Sequence, residues 1–296
     1  MQKVNFYLLP FVSYDGLTDE AVQHMQELIE CIKDNEDIFV VPNSFYSCED
    51  ESNKTFFDFL EGEDNSVKRL IREMICYNPH IEKSYEELYE DILNEFNGYV
   101  AQEKKAAPEE AQEYVTCEKS NLVTVYRHMA KRLSTYEEYY AWRKKCFPRL
   151  LFTKDAFDKA SHMGILKLNV EEMLKCMGCL NDMGYFWYKQ YGEPEALAKL
   201  QAASGVACTG KGSNETLTFK KKVELYDADG NKHICEISCI PHFKLETKYS
   251  DKRVHFSWGK EQINDHSIIV VHIGPHWSSS NENVATIEGA EYKSMS

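Results

Sequence analysis

From residue 204 onward the chain runs in short stretches of alternating apolar and polar residues, broken by turn residues. No other part of the sequence restricts the fold as far. Residues 217–226 and 232–240 read as two strands joined by the turn Asp227-Ala-Asp-Gly230. Residues 243–247, 253–258 and 267–273 read as three more. Side chains along a strand alternate between its two faces. Hairpin-length loops between successive strands predict a four- to five-stranded antiparallel sheet.

The first two hundred residues have a different texture. Residues 4–9 and 37–41 read as strands, with a helix from Thr18 to about Asn35 between them. This opening has no glycine-rich phosphate loop, which argues against a nucleotide site there. Helices are predicted at 66–77, after Ser84 (capping box with Glu87), at 119–132, at 135–146 (capping box Ser134 with Glu137), from Asn169, and at 195–202. Residues 101–113 lack large apolar groups and read as a linker or exposed helix. The expectation is an α+β protein with three regions: a mainly helical domain with an α/β start at 1–115, a helical region at 116–203, and the sheet at 204–296.

Charge bears on partners. The net charge is −14, yet residues 204–296 hold 11 Lys+Arg against 12 Asp+Glu, while 23 basic and 36 acidic residues precede them. An acidic body does not attract nucleic acid through bulk charge, so any such contact has to be local to the near-neutral C-terminal part. No run of about 18 apolar residues suggests a membrane span. The first ten residues lack signal-peptide features. The ten cysteines show no disulfide-scaffold spacing. A cytoplasmic location without membrane association is therefore expected.

Alternation gathers a set of basic side chains. His242 and Lys244 share a face opposite Phe243 and Leu245. Arg253, His255 and Ser257 share one opposite Val254, Phe256 and Trp258. His272 falls with Ile268 and Val270. The simplest pairing places His242, Lys244, Arg253, His255 and His272 on one concave surface, with His276 at its rim. Histidine serves as base or acid near neutral pH, and Arg and Lys stabilise phosphorane oxygens. Such a set could cleave RNA through its own 2′-hydroxyl with no metal and no cofactor. The alternative is a solvated polar face, or a binding surface for a phosphate-bearing ligand or a protein partner.

Those segments, HFKL (242–245), RVHFSW (253–258) and SIIVVHIGPHW (267–277), resemble the end of RelE-type ribonuclease toxins. With CFPRLLF (146–152) they also resemble a bacterial family of about this length, over residues 140–277. The resemblance implies a metal-independent endoribonuclease, a toxin or phage-defence effector acting on RNA, with an antitoxin or defence-system component as protein partner. It puts phosphate contacts on Lys244 and Arg253, and proton transfer on His255, His272 or His276. Taken with the shared face, the expected catalytic set is Arg253, His255, His272 and His276, with His242 and Lys244 as substrate contacts. The acidic N-terminal half has no counterpart in those compact, basic toxins.

Two motifs are near misses. Residues 205–213 approach a phosphate-binding loop, but Gly212 stands where Ser or Thr should hold magnesium, and a helix rather than a strand precedes it. The expected role is a loop that carries Lys211 towards a substrate on the sheet. Cys176 and Cys179 have CxxC spacing inside a helix with no second pair, and read as packing residues rather than a zinc site. The aromatic runs at 136–142 and 185–191 read as core or interface before they read as base-stacking platforms.

Overall fold

A computed structural model describes residues 3–91, 95–210, 219–247, 249–263, 267–276 and 284–293. The chain forms two units, Met1–Met129 and Ala130–Ser296. The boundary falls inside the helical region expected at 116–203, and the helices after residue 130 belong with the C-terminal strands.

The N-terminal unit is built on a parallel sheet, which the sequence did not reveal beyond its first strands. Strands β1 (Asn5–Leu8), β2 (Ile38–Pro42), β3 (His80–Ile81), β4 (Asn97–Val100) and β5 (Val115–Thr116) lie in the order β3-β2-β1-β4-β5, and every pairing is parallel. Thr18 caps the helix Asp19–Asp34, its Oγ1 accepting from Ala21 N at 3.1 Å. Val22, Met25, Leu28, Ile29 and Ile32 form that helix's buried stripe. Gly98 in β4 has no substitute, because a Cβ there would stand 2.5 Å from the Phe6 ring. The expected box at Ser84 is present: Ser84 N donates to Glu87 and Glu87 N to Ser84 Oγ. Residues 101–113 contain the short turns Lys104–Ala106 and Glu109–Tyr114.

In the C-terminal unit the single antiparallel meander expected from sequence is replaced by two sheets. Strands β6 (Leu151–Phe152), β7 (Ala207–Thr209), β10 (His242–Lys244), β11 (Lys252–Ser257) and β12 (Ile269–Pro275) form one, in the order β6-β12-β11-β10-β7. It is antiparallel except for β6, which runs parallel to β12. The hairpin β8 (Lys220–Tyr226) and β9 (Lys232–Ser238) belongs to a second sheet, completed by β13 (Ala285–Glu291) parallel to β8. The hairpin turn is where sequence placed it, with Gly230 at φ +81°. A consecutive meander fails because β6 and β13, far apart in sequence, bring in parallel pairings that hairpin logic does not contain.

The two sheets share a core of Val223, Leu225, Ile237, Cys239, Ile263, Ile269, Val271 and Ile287, all buried. Phe243, Val254 and Phe256 are also fully buried. Burial of this kind supplies most of the driving force for folding. The helix Tyr136–Cys146 is capped by Thr135 and Glu138, one residue later than expected, because both Ser134 and Thr135 have a glutamate three residues on. Asn169 precedes the helix Val170–Cys179 without capping it. Its amide donates instead to Tyr136 Oη at 3.0 Å. Cys176 is fully buried in that helix, and burial pushes its thiol pKa well above the ordinary value.

Candidate functional site

The register across the first sheet sets Thr209, His242, His255 and His272 in one row over β7, β10, β11 and β12. The next row is Ala207, Lys244, Arg253 and Gly274. The grouping expected from alternation is therefore present. Ring centroids lie 4.8 Å apart for His242–His255 and 5.9 Å for His255–His272. His276 adds its ring at 6.5 Å from His242 and 6.3 Å from His255. Gly274 makes space for this packing: a Cβ there would stand 3.0 Å from the His272 ring and 2.9 Å from Lys159.

Alternation fails at one point. A β-bulge between His255 and Phe256 sets Val271 and His272 against His255. Val271 consequently joins the core shared with the second sheet, while its neighbour His272 stays with the histidines.

The surface is not open along its length. His255 is 0% exposed and Arg253 7% exposed. His242, Lys244 and His272 are half-buried, and only His276 is exposed. Phe219, beside the hairpin, covers the row, its ring 5.8 Å from His255 and 6.0 Å from His276. Two of the residues expected to be catalytic, His255 and Arg253, thus lie under cover. Lys211 lies outside the described residues.

Backbone carbonyls fix the histidine tautomers, because a carbonyl only accepts and the ring nitrogen facing it must carry the proton. His242 Nδ1 donates to Ile240 O at 2.9 Å, so its Nε2 is the acceptor facing Thr209 Oγ1 at 3.2 Å. His255 Nδ1 donates to Cys239 O at 3.0 Å, and His272 Nε2 to Pro275 O at 2.9 Å. All four pKa values are lowered, and burial is the largest cause in each. His242 is pushed down to about 4, with Arg253, Lys244 and His276 adding to the effect and the Ile240 carbonyl opposing it. The positive charges of Arg253 and Lys244 act on His276 in the same direction, against Asp251. At neutral pH the row is a set of uncharged imidazoles in a positive field.

Arg253 is held by its Nη1, which donates to Ser250 O and, at 2.9 Å, to Lys252 O. Its Nε–H is buried and has no acceptor among the described residues. Next to His272, the buried Lys221 Nζ donates to both Asp155 oxygens at 2.7 Å and to Val271 O at 3.3 Å. Sequence reasoning missed Thr209, Phe219, Lys221 and Asp155. The one available signal was Lys221 in the sequence KKKVELY (220–226), where alternation points Lys221 inward with Val223 and Leu225.

Among the described residues no three His, Cys, Asp or Glu side chains are grouped so as to hold a metal ion. None of the described helices is long and apolar enough to cross a membrane. In the N-terminal unit the strand order reverses between β1 and β4, where parallel sheets of this kind commonly take ligands. Here Gln102 occupies the crevice, its Oε1 accepting from Val12 N at 3.0 Å and Ser13 N at 3.2 Å. No protein-family model, curated protein or solved structure matches the chain.

Proposed function

We propose that the C-terminal unit binds a phosphate-bearing ligand at the outer end of the histidine row, through Lys244, Arg253, His242 and His276. The observation that carries this reading is Arg253. Its guanidinium keeps a buried donor that no acceptor among the described residues satisfies, and it faces Lys244 across the strand pair. A phosphate oxygen is the acceptor that a charged, buried N–H favours most. A bound anion would favour protonation of His276 and His242, since its charge opposes the burial and the positive field that lower them. Titration calorimetry with inorganic phosphate and pyrophosphate tests this. Binding should weaken with salt and fall about tenfold or more in Lys244→Ala. Equal affinity in wild type and Lys244→Ala refutes it.

A second reading is a metal-independent endoribonuclease of the RelE-like kind, with the toxin or defence role and protein partner that go with it. It rests on the pair His242 and His276, 6.5 Å apart beside two cations. In this reading catalysis moves to that pair, because His255 is too deeply covered to meet a substrate. His242 accepts the 2′-hydroxyl proton as base and His276, charged by the bound phosphate, acts as acid. Incubating single-stranded RNA with the protein in chelator distinguishes the readings. Cleavage lost in His276→Ala supports the nuclease. Intact RNA with phosphate binding preserved leaves the binding protein.

A further inference from the structure

Strand β7 closes the first sheet on one side, and there a cleft of about 540 Å³ opens against the helix Glu193–Ser204. Its apolar side is Pro194, Leu197 and Ala198, and its polar side Glu193 and Gln201. Thr209 lines it as well, and Thr209 belongs to the histidine row: its hydroxyl donates to His242 Nε2 at 3.2 Å. The cleft therefore begins where the row ends. Lys244 is the diagonal neighbour of Thr209, since Thr209 pairs with His242 and Lys244 with Ala207. Diagonal neighbours on one face of a sheet stand about 7–8 Å apart, a distance that a ribose bridges.

Acceptors dominate the polar side of the cleft. Glu193 is pinned by the buried Trp258, whose Nε1 donates to its Oε2 at 3.0 Å, and Tyr188 stacks on Trp258 at 4.5 Å. The other carboxylate oxygen, Oε1, lies against Gly210. A Cβ at Gly210 would stand 3.1 Å from it and 2.9 Å from Leu197, so glycine keeps that approach open. Cys208 N donates to Gln201 Oε1 at 3.2 Å. An antiparallel strand turns the N–H and C=O of one residue to the same side, so the Cys208 carbonyl also faces the helix rather than β10. No Lys, Arg or His lines the cleft among the described residues.

We infer that this cleft takes the base and ribose of a nucleoside monophosphate whose phosphate sits on Lys244 and Arg253, with N–H groups of the base donating to Glu193 Oε1 and the Cys208 carbonyl. The inference extends the phosphate reading and rests on it. Size, charge and wall chemistry select this class. Ligand pockets run from about 300 Å³ upward, so this one holds a base with its sugar, and phosphoethanolamine would leave most of it empty. A second phosphate or a carboxylate in the cleft would meet Glu193 with no cation beside it. A sugar without a base would set hydroxyls against Pro194, Leu197 and Ala198, at a cost in desolvation, whereas the faces of a base are apolar.

Guanine carries an N1–H beside an amino group, which makes its nucleotides the probes richest in donors on that edge. Calorimetry on the whole chain with guanosine 5′- and 3′-monophosphate, ribose 5-phosphate and inorganic phosphate tests the inference. The tighter of the two nucleotides should exceed inorganic phosphate and ribose 5-phosphate by at least about tenfold in affinity. Ala198→Trp fills the cleft from an exposed position. It should bring the nucleotide down to the affinity of inorganic phosphate, with phosphate binding and the circular dichroism spectrum unchanged. Lys244→Ala should weaken nucleotide and phosphate alike, by about tenfold or more. If phosphate binds and neither nucleotide exceeds it, or ribose 5-phosphate does as well as both, the inference falls and the phosphate reading stands. If none of the four binds, both fall. A nucleotide preference that survives Ala198→Trp puts the base elsewhere and overturns the inference too.

Discussion

Acidification should weaken the C-terminal unit through His242, by an amount that follows from its surroundings. Burial and neighbouring cations lower this histidine from 6.5 to about 4 in the folded protein. Between those values the unfolded chain holds more protons than the folded one, so stability falls as pH falls through the window. The full shift corresponds to about 3 kcal/mol, and about 2.5 kcal/mol of it is developed by pH 4.5. His242 is only half-buried, and solvent screening brings the expectation to about 2 kcal/mol. The comparison is with His242→Asn, whose amide can still donate to Ile240 O but does not titrate. His255, His272 and His276 lose stability in the same direction in both proteins, so the difference reports His242 together with the part of the His255 shift that His242 causes. Depressed carboxylates such as Asp227, lowered to about 2, act only below the window, because their unfolded value is 3.8. Trp142, Trp187, Trp258 and Trp277 are the only tryptophans and all follow residue 129. Urea unfolding followed by tryptophan fluorescence therefore reports this unit alone. Between pH 7 and 4.5 the wild type should lose about 2 kcal/mol more than His242→Asn. Parallel curves for the two proteins would refute the account of the row as forcibly neutral imidazoles.

Three further outcomes can be measured by the same or similar unfolding curves. Phe243→Ala removes a fully buried ring lying 5.8 Å from Phe256, and should destabilise the C-terminal unit by about 3–5 kcal/mol. Lys221→Ala leaves Asp155 without its cation next to the sheet core and should cost about 3 kcal/mol, with most of the loss recovered in Lys221→Met combined with Asp155→Asn. Thr135→Ala removes the cap of the helix Tyr136–Cys146 and should cost about 1 kcal/mol, whereas Ser134→Ala, at the position sequence alone suggests, should cost far less.

Local signals were legible where one short-range interaction decides the outcome. Ser84 and Glu87 meet three residues apart, and the turn at Asp227–Gly230 needs only its own residues. The Thr135 cap was missed by one position because the sequence offers two equivalent cap–glutamate pairs, and only tertiary packing chooses. The parallel sheet of the first unit was legible for β1 and β2 alone. β3 and β5 are two residues long, and β4 carries a glycine that its neighbour Phe6 demands, against strand propensity. In the candidate site, period-two alternation brought His242, His255, Lys244 and Arg253 together correctly. It could not foresee the bulge at Val271 and His272, nor the second sheet that covers His255, since that sheet is completed by a strand thirty residues beyond Arg253.

The pairing of β13 with β8 also dictates an order of events as the chain is made. β8 and β9 can close as a hairpin as soon as both exist. Their sheet stays one strand short until Ala285–Glu291 has been synthesised, and the bridge from Thr153 to Ile287 has to wait equally long. Until then the apolar face of the hairpin, with Val223, Leu225 and Ile237, lacks part of its cover. Contacts spanning so much sequence close slowly and leave sticky surface exposed in the interval. The C-terminal unit is therefore the part of the nascent chain that most needs a chaperone, and removing residues 285–293 should yield aggregated protein even though the histidine row lies entirely upstream.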